Sequence, residues 1–445
     1  IGAGKDGKLV GIRHEASANT ASYATFTEGI VDASRSLYSC PNVFTTYKVY
    51  PLDLSLPTWM RGPGETTGSF ALESAMDELA AALQIDPLEL RLLNYAEKDE
   101  EKGKPYSSKF LKEAYQLGAE KFGWKARNPK PRSMQEGEWL VGYGVGNGIF
   151  SAWRGESKIG ATLLADGTLI LRTGVTDMGP GTATAMTKLA SERLGIPAEK
   201  IKFELGDSRY PPGIFQGGSG TTSTLGTTVH QMGESLKQKL VGLLRTQESV
   251  ITVNDVQFAN GEMRLKNGQT ISYVDAMKAG NLPSIDFVES SGGNPEMQKY
   301  AAYSYAVHFV KVLVHPQTGR IKVARAVSSV DAGKIVNEKT AESQIIGAVV
   351  GGIGMSLMEE GVIDPRYGRW VNNNFADYHV PVNADVPKVE VVFVNKPDPV
   401  LNPNGAKGIG EVGLVGFAAA VANAVYHATG KRIRELPITP EKVLL

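Results

Sequence analysis

Cysteine is nearly absent from this chain. A single one, Cys40, among 445 residues excludes a disulfide framework and any four-cysteine iron–sulfur or zinc site made by this chain alone. Histidine is scarce as well: there are 6, scattered between His14 and His427, so a histidine-built metal centre is not expected. Any metal must arrive inside a cofactor. No excess of charge of either sign exists, since Lys+Arg and Asp+Glu both number 47, which removes the electrostatic case for nucleic acid or an anionic membrane as partner. No apolar run approaches the roughly 20 residues of a membrane span. Internal repeats, low-complexity tracts and heptads are lacking too. The chain starts at Ile1 without Met or a signal-peptide pattern, and Gly7–His14 already alternates like a strand. The expectation is the C-terminal part of something larger, or one piece of a split subunit.

What is present is ordinary globular composition, 42% hydrophobic and 21% charged, in a length that suits two or three domains. Residues 1–60 read as strand-rich: a hairpin near Asp6-Gly7, then Ser22–Val31, then Val43–Leu52. Helical spacing follows over Gly68–Leu83, Asp86–Asn94 and Phe110–Phe122. Residues 124–138 are polar and proline-bearing, the best linker candidate, which divides the chain into 1–130 and 139–445. Beyond it, glycine at every other position from Gly142 to Gly148 predicts an extended, closely packed strand. Strands are expected at Lys158–Leu164, Thr168–Gly174 and Ile201–Leu205, with helices at Thr182–Leu194 and Thr227–Glu248. Residues 250–300 hold a hairpin-like insertion about Asn267-Gly268. A strong hairpin, Ala301–His315 with Arg320–Val330, precedes a helix over Thr340–Glu360, expected to break at Gly351, Gly352 and Gly354. Val389–Val394 is a last strand. The interleaving has no regular βαβ period, so the fold class is α+β.

Glycine, at 50 residues, clusters into loops that each precede a helix: Met60–Gly64, Met178–Gly181, Gln216–Gly220 and Gly405–Gly413. Such loops aim main-chain N–H groups at whatever occupies them, and four together suggest one large anionic ligand held from several directions. The alternative is tight packing of helices on sheets. None is a nucleotide fingerprint: there is no Gly-x-x-x-x-Gly-Lys-Ser/Thr and no strand-borne Gly-x-Gly-x-x-Gly with an acid some 20 residues on. In the last loop Glu411 is the one carboxylate. It precedes a small, apolar segment, Leu414–Thr429, that reads as a buried helix ended by Gly430. A helix N-terminus favours an ionised carboxylate, so Glu411 is either a base or merely the cap of a core helix.

Taken together, Met60-Arg-Gly-Pro-Gly-Glu65, Asp177-Met-Gly-Pro-Gly-Thr182, Gly206-Asp-Ser with Pro211-Pro212 and Gln216-Gly-Gly-Ser219, and Lys407-Gly-Ile-Gly-Glu-Val-Gly413 with Arg434-Glu-Leu-Pro-Ile-Thr-Pro440 resemble the molybdenum-binding subunit of the xanthine dehydrogenase/aldehyde oxidase family. The variants look most like its bacterial periplasmic aldehyde oxidase branch, and the motifs keep their order over essentially the whole chain. The resemblance implies two molybdopterin-binding domains, the first incomplete at its N-terminus. The implied cofactor is molybdopterin cytosine dinucleotide with molybdenum, the metal being held by the pterin dithiolene and not by a protein side chain. It also implies aldehyde oxidation to a carboxylic acid, with Glu411 taking the proton from a Mo–OH whose oxygen attacks the substrate carbon while hydride passes to a sulfido ligand. Iron–sulfur clusters and FAD are expected on partner subunits, and a further chain is expected to carry the N-terminal half with its Gly-Gly-x-Phe-Gly motif. The implied compartment is the cytoplasm, or the periplasm through a signal on a partner.

Residue by residue, Arg154 matches an active-site arginine that could stabilise oxyanion charge or orient a carboxylate; its alternative is a surface arginine at a strand end. The implied cofactor contacts are Arg61 and Gly62; Met178, Gly179 and Gly181; Gln216, Gly217, Gly218 and Ser219; Gln344; and Lys407, Gly408 and Gly410. Arg61 is expected to act through its backbone, and Phe150 and Trp153 to form a substrate wall. Pro180 departs from the family, standing where many relatives have glutamine, so one polar contact is absent. Hydroxylation of an N-heterocycle of xanthine, nicotinate or isoquinoline type, and a cofactor-binding half-subunit without turnover of its own, are the alternatives.

Overall fold

The computed structural model describes residues 1–244 and 251–444. Strand β1 (Leu9–Ala21) leaves the turn at Gly7 and pairs in parallel with β2 (Val43–Leu52), Ile12 opposite Val43 and Ala21 opposite Leu52. Ser22–Val31 is not the expected strand. Apart from a bridge between Ala21 and Ala24 it is irregular, because Thr20 Oγ1 donates to Ala24 O and accepts from Phe26 N, putting a hydroxyl where a ladder would run. Helix α1 (Glu65–Leu83) starts three residues before the expected Gly68, with Gly64 in the capping position. A short helix, Pro87–Leu93, is capped by Asp86, and α2 (Leu111–Phe122) ends on Gly123 in the left-handed region.

The stretch 124–138 is not a free linker. Trp124 is 6% exposed and packs with Phe122 and Phe309, Arg132 N donates to His427 O, and Gln135–Glu136 pairs with the next strand, β3 (Trp139–Ser151). One apolar core joins Leu72, Met76, Tyr115 and Phe122 to Val145, Tyr305 and Phe309, so the two parts of the chain are packed as one.

Strands β4 (Ser157–Leu164), β5 (Leu169–Thr173), β6 (Ile201–Leu205) and β7 (Ser284–Ser291) form a four-stranded sheet ordered β6-β5-β4-β7, and only the β6–β5 pair is parallel. Helices α3 (Thr182–Leu194) and α4 (Thr221–Gly242) cover it through Leu189, Leu194, Leu225, Met232 and Leu236. Helix α4 starts six residues before the expected Thr227; the far end of that expectation, Arg245–Glu248, lies outside the described residues. The insertion about Asn267-Gly268 is a separate three-stranded sheet.

A five-stranded sheet carries the rest: β10 (Lys388–Phe393), β9 (Ile321–Asp331), β8 (Tyr303–Val314), β3 and Gln135–Glu136, in that order. Helix α2 packs on one face. On the other lie α5 (Glu338–Leu357) and α6 (Phe417–Thr429), against Val310, Val312 and Val314. The glycines of α5 do not break it. Its axis passes so close to α6 that a Cβ on Gly352 would sit 2.4 Å from Phe417. The alternating glycines of β3 work the same way, since a Cβ on Gly144 would lie 2.1 Å from Ala420 O. Backbone rests on backbone here, and that sets the helix and the loop before it. Among the described residues no helix is long and apolar enough to cross a membrane.

Candidate active site

Between the two sheets and α1 lies a cavity of about 1120 Å³. Four helices aim their N-termini at it, with Glu65 of α1, Thr182 of α3, Thr221 of α4 and Thr340 of α5 all in its wall. Helix α4 has no side-chain cap, so its first N–H groups are left for a ligand; α1 lacks one too, though its Thr66 N donates to Gly62 O at 3.0 Å. Four converging dipole ends make a strong preference for an anion. Arg35 and Lys334 add two cationic side chains to the same wall.

Glu411 reaches this cavity from the Gly405–Gly413 loop. It is not a helix cap: α6 begins at Phe417, with Gly416 in the capping position. Its Oε1 accepts from Gly62 N at 3.3 Å and its Oε2 from Ser219 Oγ at 3.0 Å. Three of the four glycine loops therefore meet on one carboxylate. Ser219 stands at φ +56°, a conformation uncommon outside glycine. A Cβ on Gly408 would lie 2.5 Å from Ser219 Cβ, so the serine reaches Glu411 only because position 408 is bare. Sequence reasoning linked the loops through a common ligand; the structure also links them directly.

The side chain of Arg61, not its backbone, is what joins the loops. Its Nε donates to Gly410 O and an Nη to Gln344 O at 2.8 Å. Gln344 is thus part of the wall, half-buried on α5. Met178, Gly181, Gln216, Gly217, Gly218, Ser219, Gly408 and Gly410 all line the cavity, as does Phe150. Gly179 and Gly62 stand just behind that lining, Gly179 N being held by Asp177 Oδ1 at 2.9 Å. Lys407 lines it with its main chain only, for its side chain is wholly buried against Asp331.

Arg154 stands apart. It lines a different, shallower cavity of about 530 Å³ with His230, Gln231 and Glu289, so the structure does not bring it to Glu411. Burial lowers its pKa, and its Nε has no hydrogen-bond partner among the described residues. The neighbouring Trp153 buttresses instead of forming a wall: Nε1 donates to Gly218 O at 2.7 Å, and the ring lies against Gly220.

Sequence reasoning missed a group of carboxylates, Glu28, Asp32 and Glu65, in the same wall. Burial, then the charges of Asp32, Glu411 and Glu28, push Glu65 up to about 8, and burial raises Glu28. No local signal exposes this group, because Glu28 comes from the irregular segment that looked like a strand and Asp32 from the turn just after it.

A large anionic cofactor fits these residues. Gln216 Nε2 is buried in the wall and has no partner among the described residues, a donor whose burial demands an acceptor. A Cβ on Gly179 would meet nothing within 4 Å, so main chain faces open space beside it. Among the described residues no three His, Cys, Asp or Glu side chains gather as a metal site.

The model of the molybdopterin cofactor-binding domain matches residues 117–387, and a second molybdopterin cofactor-binding domain model matches residues 1–95. The chain is 39% identical to the aldehyde oxidoreductase molybdenum-binding subunit PaoC of Escherichia coli K12, over all of this chain and 59% of that protein. It is 31% identical to the probable hypoxanthine oxidase XdhD of the same organism, over all of this chain and 48% of that one. The aldehyde oxidoreductase of Desulfovibrio desulfuricans superposes with a TM-score of 0.79 at 26% identity, over 99% of this chain and 48% of its own. The CO dehydrogenase of Oligotropha carboxidovorans shares the fold, with a TM-score of 0.85 at 22% identity over 99% of this chain and 60% of its own. The chain thus spans about half to three fifths of the length of these relatives.

Proposed function

The chain belongs to the molybdopterin-binding subunits of the xanthine dehydrogenase/aldehyde oxidase family, and from that premise we propose that it holds the molybdenum cofactor of an enzyme oxidising aldehydes to carboxylic acids, with Glu411 as general base. The observation that carries the reading is one carboxylate, hydrogen-bonded by Gly62 N and Ser219 Oγ, in a cavity faced by four helix N-termini. The aldehyde relative is also the more similar of the two E. coli proteins.

In this reading the chain contributes two units, 1–130 and 139–445, to one site for a molybdopterin cytosine dinucleotide. The first turns of α3 and α4, with Lys334 and Arg35, would hold its phosphates. Gln216 Nε2 and the glycine main chain of 179–181 and 408–410 would meet its pterin. When bound, the cofactor supplies the water-derived oxygen and accepts two electrons. An aldehyde and water then give a carboxylic acid, two protons and two electrons. Glu411 takes one of those protons on a carboxylate oxygen, each of which has a lone pair free of its single hydrogen bond. Phe150, 8% exposed, gives the substrate an apolar wall. Electrons would leave to an iron–sulfur subunit and an FAD subunit, and the remaining length of the relatives would come from further polypeptide.

The test is Glu411→Gln in the molybdenum-loaded complex. The amide keeps the volume and still accepts from Gly62 N, so molybdenum content is expected to stay while kcat falls by about 10²–10⁴-fold, the range of a lost general base. Activity within fivefold of wild type at equal molybdenum content would sink the assignment. A panel of aromatic aldehydes and N-heterocycles assayed with the wild type decides the substrate class, aldehydes being expected to give the higher kcat/KM.

A further inference from the structure

The ammonium of Lys407, four residues before Glu411, turns away from the cavity. Its Nζ lies 3.2 Å from Asp331 Oδ1, and both side chains are 0% exposed. Neither atom has a hydrogen-bond partner among the described residues, so the two meet as bare charges. The aromatic ring of Tyr305 closes one side, 5.7 Å from Nζ. The other oxygen of Asp331 is occupied. Oδ2 accepts from Phe110 N at 2.7 Å, which caps the first turn of α2 from a different element, since Phe110 offers no side-chain cap itself. Asp331 ends β9. One carboxylate thus ties the rim of the five-stranded sheet to a helix on one side and to the Glu411 loop on the other.

The loop has neutral ties as well. Ser304 Oγ donates to Gly408 O at 2.6 Å and Lys407 N to Ala332 O at 2.9 Å. These fix the main chain near 407–408. A second ammonium, Lys109, feels Asp331 but is engaged elsewhere: it donates to Ala96 O at 2.8 Å and stacks on Tyr95 and Tyr106. Lys407 is therefore the cation that Asp331 faces at contact distance. Burying an ion pair this completely gains little stability, because desolvation offsets the attraction, and some such pairs are kept for the geometry they impose.

We propose that Lys407 and Asp331 are positioning residues of the catalytic loop: their buried ion pair holds the loop at the register in which Gly408–Gly410 faces the cavity and Glu411 meets Gly62 and Ser219. The proposal rests on Glu411 as the base.

The experiment compares Lys407→Met, Asp331→Asn and the double variant in the molybdenum-loaded complex, reading melting temperature, molybdenum per chain, kcat, KM and the pH profile of kcat. Each single variant strands one buried charge, so both are expected to melt lower than wild type. The double variant strands none and is expected to regain the melting temperature and at least half the molybdenum. Its kcat is nevertheless expected to stay at least tenfold below wild type, with KM within threefold and the acid limb of the pH profile displaced. A pair that only stabilises would give a kcat that recovers together with the melting temperature, and that result overturns the proposal. So does a folded single variant with wild-type kcat. The underlying reading fails separately: an active Glu411→Gln removes the base whatever Lys407 does, whereas an inactive Glu411→Gln beside a fully active double variant removes the positioning role alone.

Discussion

Gly148 of β3 sits under the segment that carries Glu411, and replacing it with alanine tests how tightly that segment is set. The new Cβ would lie 2.4 Å from Val415 O and 2.8 Å from Val412 O. Both are main-chain atoms, so no flexible side chain can yield. Ordinary contact begins at 3.4 Å, and reaching it requires the 412–415 backbone to lift by about 1 Å, an overpacking that costs about 1–3 kcal/mol. The reduced freedom of the unfolded alanine chain returns about 0.4–1 kcal/mol of this, leaving a modest net loss. The functional cost should be larger. Glu411 adjoins Val412, and its bond from Gly62 N is already long at 3.3 Å, so a lift of this size separates the carboxylate from its donors. A misplacement of about 1 Å at a reacting group costs about 10²-fold in rate, or about 2.7 kcal/mol of barrier. The assay is kcat per molybdenum in the purified complex, with melting temperature measured alongside. Gly242→Ala is the control, because a Cβ there meets nothing within 4 Å. A Gly148→Ala enzyme with full molybdenum and kcat within threefold of wild type would refute the claim that β3 sets the position of Glu411.

Two further outcomes follow from buried titratable groups. Burial holds His308 down to about 4, its ring lying between Ser328 Oγ and Val415 O. The unfolded chain titrates near 6.5, so this residue leaves stability intact above that pH and removes it as pH falls towards 4, by up to about 3 kcal/mol. His308→Gln should therefore lose less melting temperature than wild type between pH 6.5 and 4, and parallel curves would count against it. Glu65 has the opposite sign: its folded pKa of about 8 lies above the ordinary 4.5, so stability is full below about 4.5 and lost as pH rises through 8. Glu65→Gln should gain on wild type over that window, by up to about 5 kcal/mol, and an advantage that does not grow with pH would show that Glu65 is ionised.

Several features were legible in the sequence because they are local. Glycine before a helix marks a bare N-terminus, and the four such loops do converge on one cavity with Glu411 among them. The small apolar run ending at Gly430 does form a buried helix. Errors arose where tertiary contact overrode local preference. Thr221-Thr-Ser-Thr224 has poor helix propensity, yet α4 begins there, beside the cavity. Gly351, Gly352 and Gly354 looked like breaks, but in α5 Gly352 serves the close approach to Phe417, and Gly354 leaves room for Glu359 and Pro381. Arg154 and Trp153 could not be aimed from sequence, since a neighbour along the chain says nothing about which cavity a side chain enters. The acidic wall of Glu28, Asp32 and Glu65 was invisible for the same reason: it exists only once the irregular segment after β1 folds against α1.

The company that Glu411 keeps bears on why it suits proton abstraction. Arg61 lies close enough to feel its charge, yet the guanidinium is committed to two carbonyls, Gly410 O and Gln344 O. The groups that bind Glu411 directly are instead a backbone N–H and a serine hydroxyl, both neutral. They fix its orientation through one hydrogen bond to each carboxylate oxygen. The arginine meanwhile sets the loop on which the carboxylate is carried, so orientation and charge are supplied by different residues.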